Sequence, residues 1–335
     1  MARVSAGLRE ARVAIVGCGL VGRKRAQALG ASRLVAAADV DPSRAEVLAA
    51  DFPGCAVEPE WARAVARPDV DVVIVATVHD ALAEIALAAV RAGKHVLVEK
   101  PGARRVAELA PVRDVARAAG LTVKVGFNHR QHPGIRQARA IVGEGTLGPV
   151  LYLRGRYGHG GRPGYEKEWR ADPVRSGGGE LLDQGVHLVD LARCFAGEFV
   201  ETTAHLGRYY WDMPVEDNAF LLLKTAAGQV AWLHASWTEW KNLFCLEVFC
   251  RGGKLQVDGL GGSYGVERLT VYRMLPEMGP PETTVFEHAG PDASWTLEFE
   301  ELLAATRGEA TASAGIEDAL AALAIVERAY AGEAA

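Results

Sequence analysis

A glycine-rich turn between an apolar run and an Ala-rich segment of helical period constrains this chain more than any other feature. Gly17-Cys18-Gly19-Leu20-Val21-Gly22 follows Val13-Ala14-Ile15-Val16 and opens a segment that continues through Ala28. Glycines there allow a tight turn and bring the backbone close to a pyrophosphate, whose charge the free amides and the positive end of the helix stabilise. Alone, GxGxxG is a weak signal, because a bare strand-to-helix turn also uses glycine. Asp39 strengthens it. It ends the next apolar run, 22 positions after Gly17 (39 minus 17), where a carboxylate accepts both ribose hydroxyls of NAD and repels the extra phosphate of NADP. Arg44 lies close enough in sequence to soften that preference, so dual use stays open.

The surrounding pattern extends the same reading. Short Val/Ala/Ile-rich runs at residues 13–16, 34–38, 72–76, 95–98 and 122–125 alternate with helical segments, the pattern of a parallel sheet with crossover helices. Asp41-Pro42 reads as an N-cap followed by proline in the first turn, and Gly93 and Gly120 sit where helices should stop. Residues 1–126 are therefore expected to form an α/β, doubly wound Rossmann domain. After Gly126 the pattern changes to a helix at 133–142, a strand at 150–156, a Gly-rich loop and a helix at 180–195. Several β-type runs then occupy 199–288, with turns at Ala227-Gly228 and Gly252-Gly253. This predicts a second, α+β domain over 127–310 with a large, open, mostly antiparallel sheet. Two closing helices are expected at 295–307 and 316–331, separated by a small polar linker. The last, within 311–335, should pack back on the first domain.

Composition narrows the partners. With 49% hydrophobic residues over 335 positions the chain can bury a large core, and its length favours two domains. Its 37 basic and 42 acidic residues give a net charge of -5, without the basic excess that draws a protein to nucleic acid or anionic lipid. A small molecule is the expected partner. The five cysteines are scattered without CxxC spacing, residues 1–12 lack the apolar stretch of a signal peptide, and no apolar run reaches the roughly 20 residues that span a bilayer. These features predict a soluble, cytoplasmic protein.

Two motifs resemble those of a known family. The run at 95–98 leads into Glu99-Lys100-Pro101, and residues 177–187 read Gly-Gly-Gly-Glu-Leu-Leu-Asp-Gln-Gly-Val-His. Both resemble signatures of the glucose-fructose oxidoreductase, inositol dehydrogenase and rhizopine catabolism family (Gfo/Idh/MocA), and the resemblance covers the whole chain. It implies NAD- or NADP-dependent hydride transfer at a secondary alcohol or ketone of a sugar, cyclitol, aminocyclitol or sugar-bearing metabolite. It also implies a homodimer or homotetramer formed through the C-terminal sheet, and a cis Lys100–Pro101 bond. From the residues alone, Asp183 and His187 stand four apart on one helix and share a face, which Asp190 extends. A histidine, with an unperturbed pKa near 6.5, suits removal of the alcohol proton as hydride leaves. The resemblance assigns that role to His187, polarisation of the alcohol oxygen to Lys100, and orientation of a substrate hydroxyl to Asp183.

The expected cofactor set is Gly17, Cys18, Gly19, Leu20, Val21, Asp39, Thr77, His79, Glu99, Lys100 and Asn128. The expected substrate set is Lys100, Asn128, Arg130, Tyr165, Trp169, Asp183 and His187. Asn128 and Arg130 enter because Asn128-His129-Arg130 resembles the family's crossing into the substrate cleft. Tyr165 and Trp169 enter because the loop from 154 to 170 offers rings and polar groups to a polyol, although an exposed Gly-rich turn reads equally well. Trp232, His234 and Ser236 alternate on one strand face, where aromatic residues more often form sheet core or oligomer contact. Val78 and Leu82 replace a proline and a histidine common in the family's Thr-Pro-x-x-x-His segment, which weakens the expectation for contacts in that loop. No metal is expected, since Asp183, His187 and Asp190 have no further ligand cluster at close spacing and hydride transfer needs none. Two alternatives remain: a glycosidase that retains NAD and is redox-neutral overall, and a non-catalytic NAD-binding regulator. The joint presence of Lys100, Asp183 and His187 argues against the latter.

Overall fold

The runs buried on both faces in the first part of the chain do form a parallel sheet. The structure is a computed structural model describing residues 8–309 and 314–333. Residues 1–7, part of the stretch read as lacking a signal peptide, and 310–313 of the linker before the last helix lie outside the described residues. The chain divides into two units, residues 1–128 with 295–321, and residues 129–294 with 322–335.

In the first unit, β1 (Arg12–Val16), β2 (Arg33–Ala38), β3 (Ala56–Val57), β4 (Val72–Val75), β5 (His95–Val98) and β6 (Val123–Val125) pair in the order β3-β2-β1-β4-β5-β6, all parallel. The order reverses between β1 and β4, the switch point at which doubly wound sheets present a ligand crevice. The strands read as continuous apolar runs because helices cover both faces. The two-residue β3 was not expected; a strand that short has no period to read.

The helix Ser294–Thr306 departs from the expected division. From Trp295 onward it belongs to the first unit rather than to a domain ending at 310. The reason is physical: Phe299, Leu302 and Leu303 join the core built from Val13, Ile15, Val72, Ile74 and Leu97. Glu298 also pairs with the fully buried Arg25 at 2.6 Å. The start of the last helix, Ile316–Glu333, is tied to the same unit by the Val125 amide donating to the Ala314 carbonyl and by the Arg117–Glu317 ion pair. Its second half belongs to the other unit. The expectation that this helix goes with the first domain therefore covers only residues up to 321.

In the second unit, β7 (Val150–Gly158), β8 (Phe199–Gly207), β9 (Asn218–Thr225), β10 (Val230–Ser236), β11 (Leu243–Cys250), β12 (Gly253–Asp258), β13 (Glu267–Arg273) and β14 (Glu282–His288) form one sheet, ordered β14-β13-β12-β11-β7-β10-β9-β8. Every pairing is antiparallel except β7 with β10. Along β10, Ala231, Leu233 and Ala235 are buried while Trp232 is exposed and His234 half-buried, the alternation of a sheet covered on one face. Gly155 on β7 lets the helix Val186–Ala196 come close, since a Cβ there would lie 3.1 Å from the Leu188 side chain. Among the described residues, no helix is long and apolar enough to cross a membrane.

Candidate functional site

The turn after β1 is built from backbone contacts that only glycine permits. Gly17 has φ of +94°, and a Cβ there would lie 2.3 Å from the Ala76 carbonyl oxygen. A Cβ on Gly22 would lie 1.9 Å from the Gly17 oxygen, so helix and strand could not meet. Gly19 differs, because nothing lies within 4 Å of a Cβ built on it. The fold does not require glycine at 19, and the open space beside this turn fits close approach of a pyrophosphate. Asp39 accepts hydrogen bonds from the amides of Cys18 at 2.6 Å and Asp41 at 2.9 Å, which fixes its carboxylate at the end of β2. The Cys18 thiol donates to the Ala38 carbonyl, and burial pushes its pKa up to about 12, so it is a neutral wall of the turn. Leu20 is exposed and Val21 half-buried on the first helical turn.

Of the other expected cofactor residues, the Thr77 hydroxyl donates to the Val78 carbonyl, and His79 is buried at the start of the helix His79–Arg91. Lys100 follows β5 and is joined to Pro101 by a cis peptide bond, as the resemblance implied. Glu99 has a task within the fold: its Oε1 accepts from Arg25 Nε at 2.6 Å. Arg25 also lies over the Trp295 ring, 4.4 Å from its centroid. Gly126 leaves room for that pair, since a Cβ there would be 2.8 Å from the Arg25 guanidinium. Asn128 is buried and begins the 3-10 turn Asn128–Gln131.

In the second unit the glycine run 177–179 is crowded by residues distant in sequence. A Cβ on Gly178 would lie 2.1 Å from the Tyr330 hydroxyl, and one on Gly179 2.0 Å from the Glu216 carbonyl oxygen. The buried Glu216 carboxylate accepts from the amides of Gly179 at 3.1 Å and Leu181 at 3.0 Å and from the Tyr330 hydroxyl at 2.8 Å. It therefore satisfies donors left over at the start of a helix. The helix expected at 180–195 does not begin as a regular α-helix. Leu181–Gly185 is a π turn, and the α-helix proper is Val186–Ala196. Gly185 accounts for part of this, as it packs against β10 where a Cβ would come within 3.2 Å of the Ala235 methyl. Single π turns recur at functional sites.

Asp183 lies in that π turn and is buried; Arg170 Nε donates to its Oδ2 at 2.7 Å. The guanidinium's pKa is raised, first by the Asp183 charge, so the pair is ionic. His187, one turn later, is also buried, and its ring lies 3.8 Å from that of His129, centroid to centroid. The structure thus gathers Asp183, His187, Arg170 and His129 around one helical segment. Other expected substrate residues also have partners within the fold. Arg130 is buried and forms a two-pronged ion pair with Asp190. Tyr165 is buried in an aromatic cluster with Trp237, Trp211, Met213 and Val215. Trp169 is half-buried with the Arg170 guanidinium 4.6 Å from its ring centroid. On β10, His234 stacks on Phe220 at 4.1 Å, while Trp237 just beyond the strand is fully buried. Sequence reasoning missed Arg170, Glu216 and Tyr330, whose partners lie 13, 35 to 37 and 114 positions away. No periodicity links such positions. Among the described residues no cluster of three or more His, Cys, Asp or Glu is arranged to hold a metal ion.

Comparison with known proteins gives the same outline. Residues 11–127 match the model of an oxidoreductase family with an NAD-binding Rossmann fold, and residues 135–256 match a GFO/IDH/MocA C-terminal domain. The chain is 33% identical over 171 residues to levoglucosan dehydrogenase of Pseudarthrobacter phenanthrenivorans, a match spanning 50% of this chain and 44% of that protein. It is 33% identical over 224 residues to inositol 2-dehydrogenase 2 of Saccharopolyspora erythraea, spanning 64% of this chain and 63% of that one. The matches to these two relatives thus cover less than two thirds of each relative's length. A solved levoglucosan dehydrogenase in complex with NADH and levoglucosan shares the fold, with a TM-score of 0.89, 22% identity and 97% of each chain covered. With an NAD-binding Rossmann domain followed by this C-terminal domain, the chain belongs to the GFO/IDH/MocA family of oxidoreductases.

Proposed function

We propose that the protein transfers hydride between NAD and a secondary alcohol or ketone of a sugar, cyclitol, aminocyclitol or sugar-bearing metabolite. The observation that carries this reading is the buried segment bearing both Asp183, held by Arg170 at 2.7 Å, and His187 one turn later. A carboxylate and an imidazole fixed on one turn can grip adjacent positions of a polyol and move a proton at one of them. NAD, when bound, supplies the hydride acceptor. His187 takes the hydroxyl proton during oxidation and returns it during reduction. Lys100 polarises the reacting oxygen, and Asp183 accepts a hydrogen bond from a neighbouring hydroxyl. Gly17, Cys18, Gly19, Leu20 and Val21 form the pyrophosphate turn, and Asp39 favours NAD over NADP. Relatives named for levoglucosan and inositol support a ring polyol as substrate. The exposed side of the second sheet, with Tyr152 stacked on Phe249 and with Leu222 and Trp232 exposed, is the proposed contact of a homodimer or homotetramer.

The test offers purified protein and NAD, with NADP in parallel, a panel of inositols, aminocyclitols, free and anhydro sugars and nucleotide sugars, and follows NADH absorbance. Turnover of one class with NAD preferred supports the proposal. Release of sugar from an aryl glycoside with no net NADH would replace it with the redox-neutral glycosidase. His187→Ala should lower kcat about a hundredfold with NAD affinity intact; a near wild-type rate would remove His187 from the mechanism.

A further inference from the structure

The contact between His129 and His187 has no part in the mechanism above. His129 lies in the turn Asn128–Gln131 and His187 is the second residue of the helix Val186–Ala196. Both are buried, and their rings lie 3.8 Å apart with planes inclined at 36°. Rings so close are in direct contact, tilted against each other rather than stacked. Tyr157, on β7, meets both edge-on, with its centroid 5.1 Å from His129 and 6.2 Å from His187.

The charges around this pair have partners of their own. Asp183 is held by Arg170, Asp190 by Arg130, and His132, 5.7 Å from His129, faces Glu267. Tyr157 and Tyr264 are neutral phenols whose pKa values burial pushes upward. Glu180, fully buried three residues before Asp183, is a further acid that acts on Tyr157. Two imidazolium rings at this separation, away from water, would repel strongly.

We propose that His129 is a positioning residue for His187: its ring fixes the plane of the His187 imidazole and restricts the two neutral rings to one added proton between them. That one added proton is the alcohol's: His187 accepts it while His129 is neutral, and loses that capacity at a pH low enough to protonate His129. The proposal rests on the reading of His187 as the base.

The test follows both rings by NMR through a pH titration of the full-length protein, in the wild type and in His129→Phe, which keeps an aromatic ring but cannot bind a proton. In the wild type the resonances of both rings should move in two shared steps separated by more than about one pH unit. In the variant His187 should move in a single step. Turnover adds a second arm: His129→Ala should lower kcat about tenfold with KM little changed, and His129→Phe should recover most of that loss by restoring the packing. Independent single-step titration of the two wild-type rings would overturn the proposal, and needs no variant to fold. Coupled titration in a protein that oxidises no alcohol would instead overturn the dehydrogenase reading and leave the pairing standing.

Discussion

Arg170 donates through Nε to Asp183 Oδ2 at 2.7 Å, so the carboxylate in the π turn is one half of an ion pair before any substrate meets it. Asp183 is buried, whereas Arg170 keeps about a third of its side chain in solvent (31%). Removing the cation takes the opposite charge away from a buried anion, which costs roughly 3 kcal/mol. Arg170→Met should therefore lower the melting temperature by several degrees and reduce kcat. Arg170→Lys, unable to reproduce the directed guanidinium contact, should recover stability more than rate. Calorimetric melts beside steady-state kinetics check this, and an Arg170→Met protein with wild-type melting would show that the pair contributes little.

Gly17 and Gly19 separate the two reasons for glycine in one turn. A Cβ at 17 meets backbone at 2.3 Å and sits at positive φ, whereas a Cβ at 19 meets nothing within 4 Å. Gly17→Ala should be poorly folded. Gly19→Ala should melt like the wild type yet bind NAD at least about tenfold more weakly, because the new methyl occupies the approach of the pyrophosphate. Unchanged NAD affinity in a folded Gly19→Ala protein would place the cofactor elsewhere.

Asp39 accepts two backbone amides in addition to any ribose hydroxyl. Asp39→Ala should raise the Kd for NAD at least about tenfold and change that for NADP much less, since only NAD gains from the carboxylate. Asp39→Asn, which keeps an acceptor oxygen for the Cys18 amide but loses the one that serves the Asp41 amide, should hold the turn in part and lose less NAD affinity than Asp39→Ala. Equal losses for both cofactors by titration calorimetry would mean that Asp39 serves the turn alone.

Much of the fold was legible because its causes are local. The apolar runs ending at Val16, Ala38, Val75, Val98 and Val125 are strands of a sheet covered on both faces, and such strands announce themselves in composition. Gly17 and Gly22 were legible for the same reason, since each meets backbone within its own turn or the adjoining strand. The π turn was not, because a helical period looks alike on either side of one inserted residue; Gly185 was the one sign of it. Arg25, Glu99 and Glu298 form a buried trio across 273 positions, so the part Glu99 plays within the fold was not legible. The partner of Arg130, Asp190, is likewise 60 positions on and was not legible.

Glu216 and Asp217, adjacent in sequence, should respond to pH in opposite directions. Burial raises the Glu216 pKa despite the donors from Tyr330, Leu181 and Gly179. Burial also opposes ionisation of Asp217, but hydrogen bonds from Asn218 and the amides of Tyr209, Tyr210 and Trp211 outweigh it and lower the pKa. For Glu216 the folded state holds the proton more tightly than the unfolded chain. Its contribution is fully present below the ordinary glutamate value near 4.3 and is lost as pH rises through the raised value. For Asp217 the contribution is present above the ordinary aspartate value near 3.9 and is lost as pH falls through the lowered one. The stability advantage of the wild type over Glu216→Gln should therefore grow on acidification from neutrality, while its advantage over Asp217→Asn should shrink only in stronger acid. Urea unfolding of the three proteins across this range measures both, and variant curves that run parallel to the wild type would show that neither carboxylate titrates differently on folding.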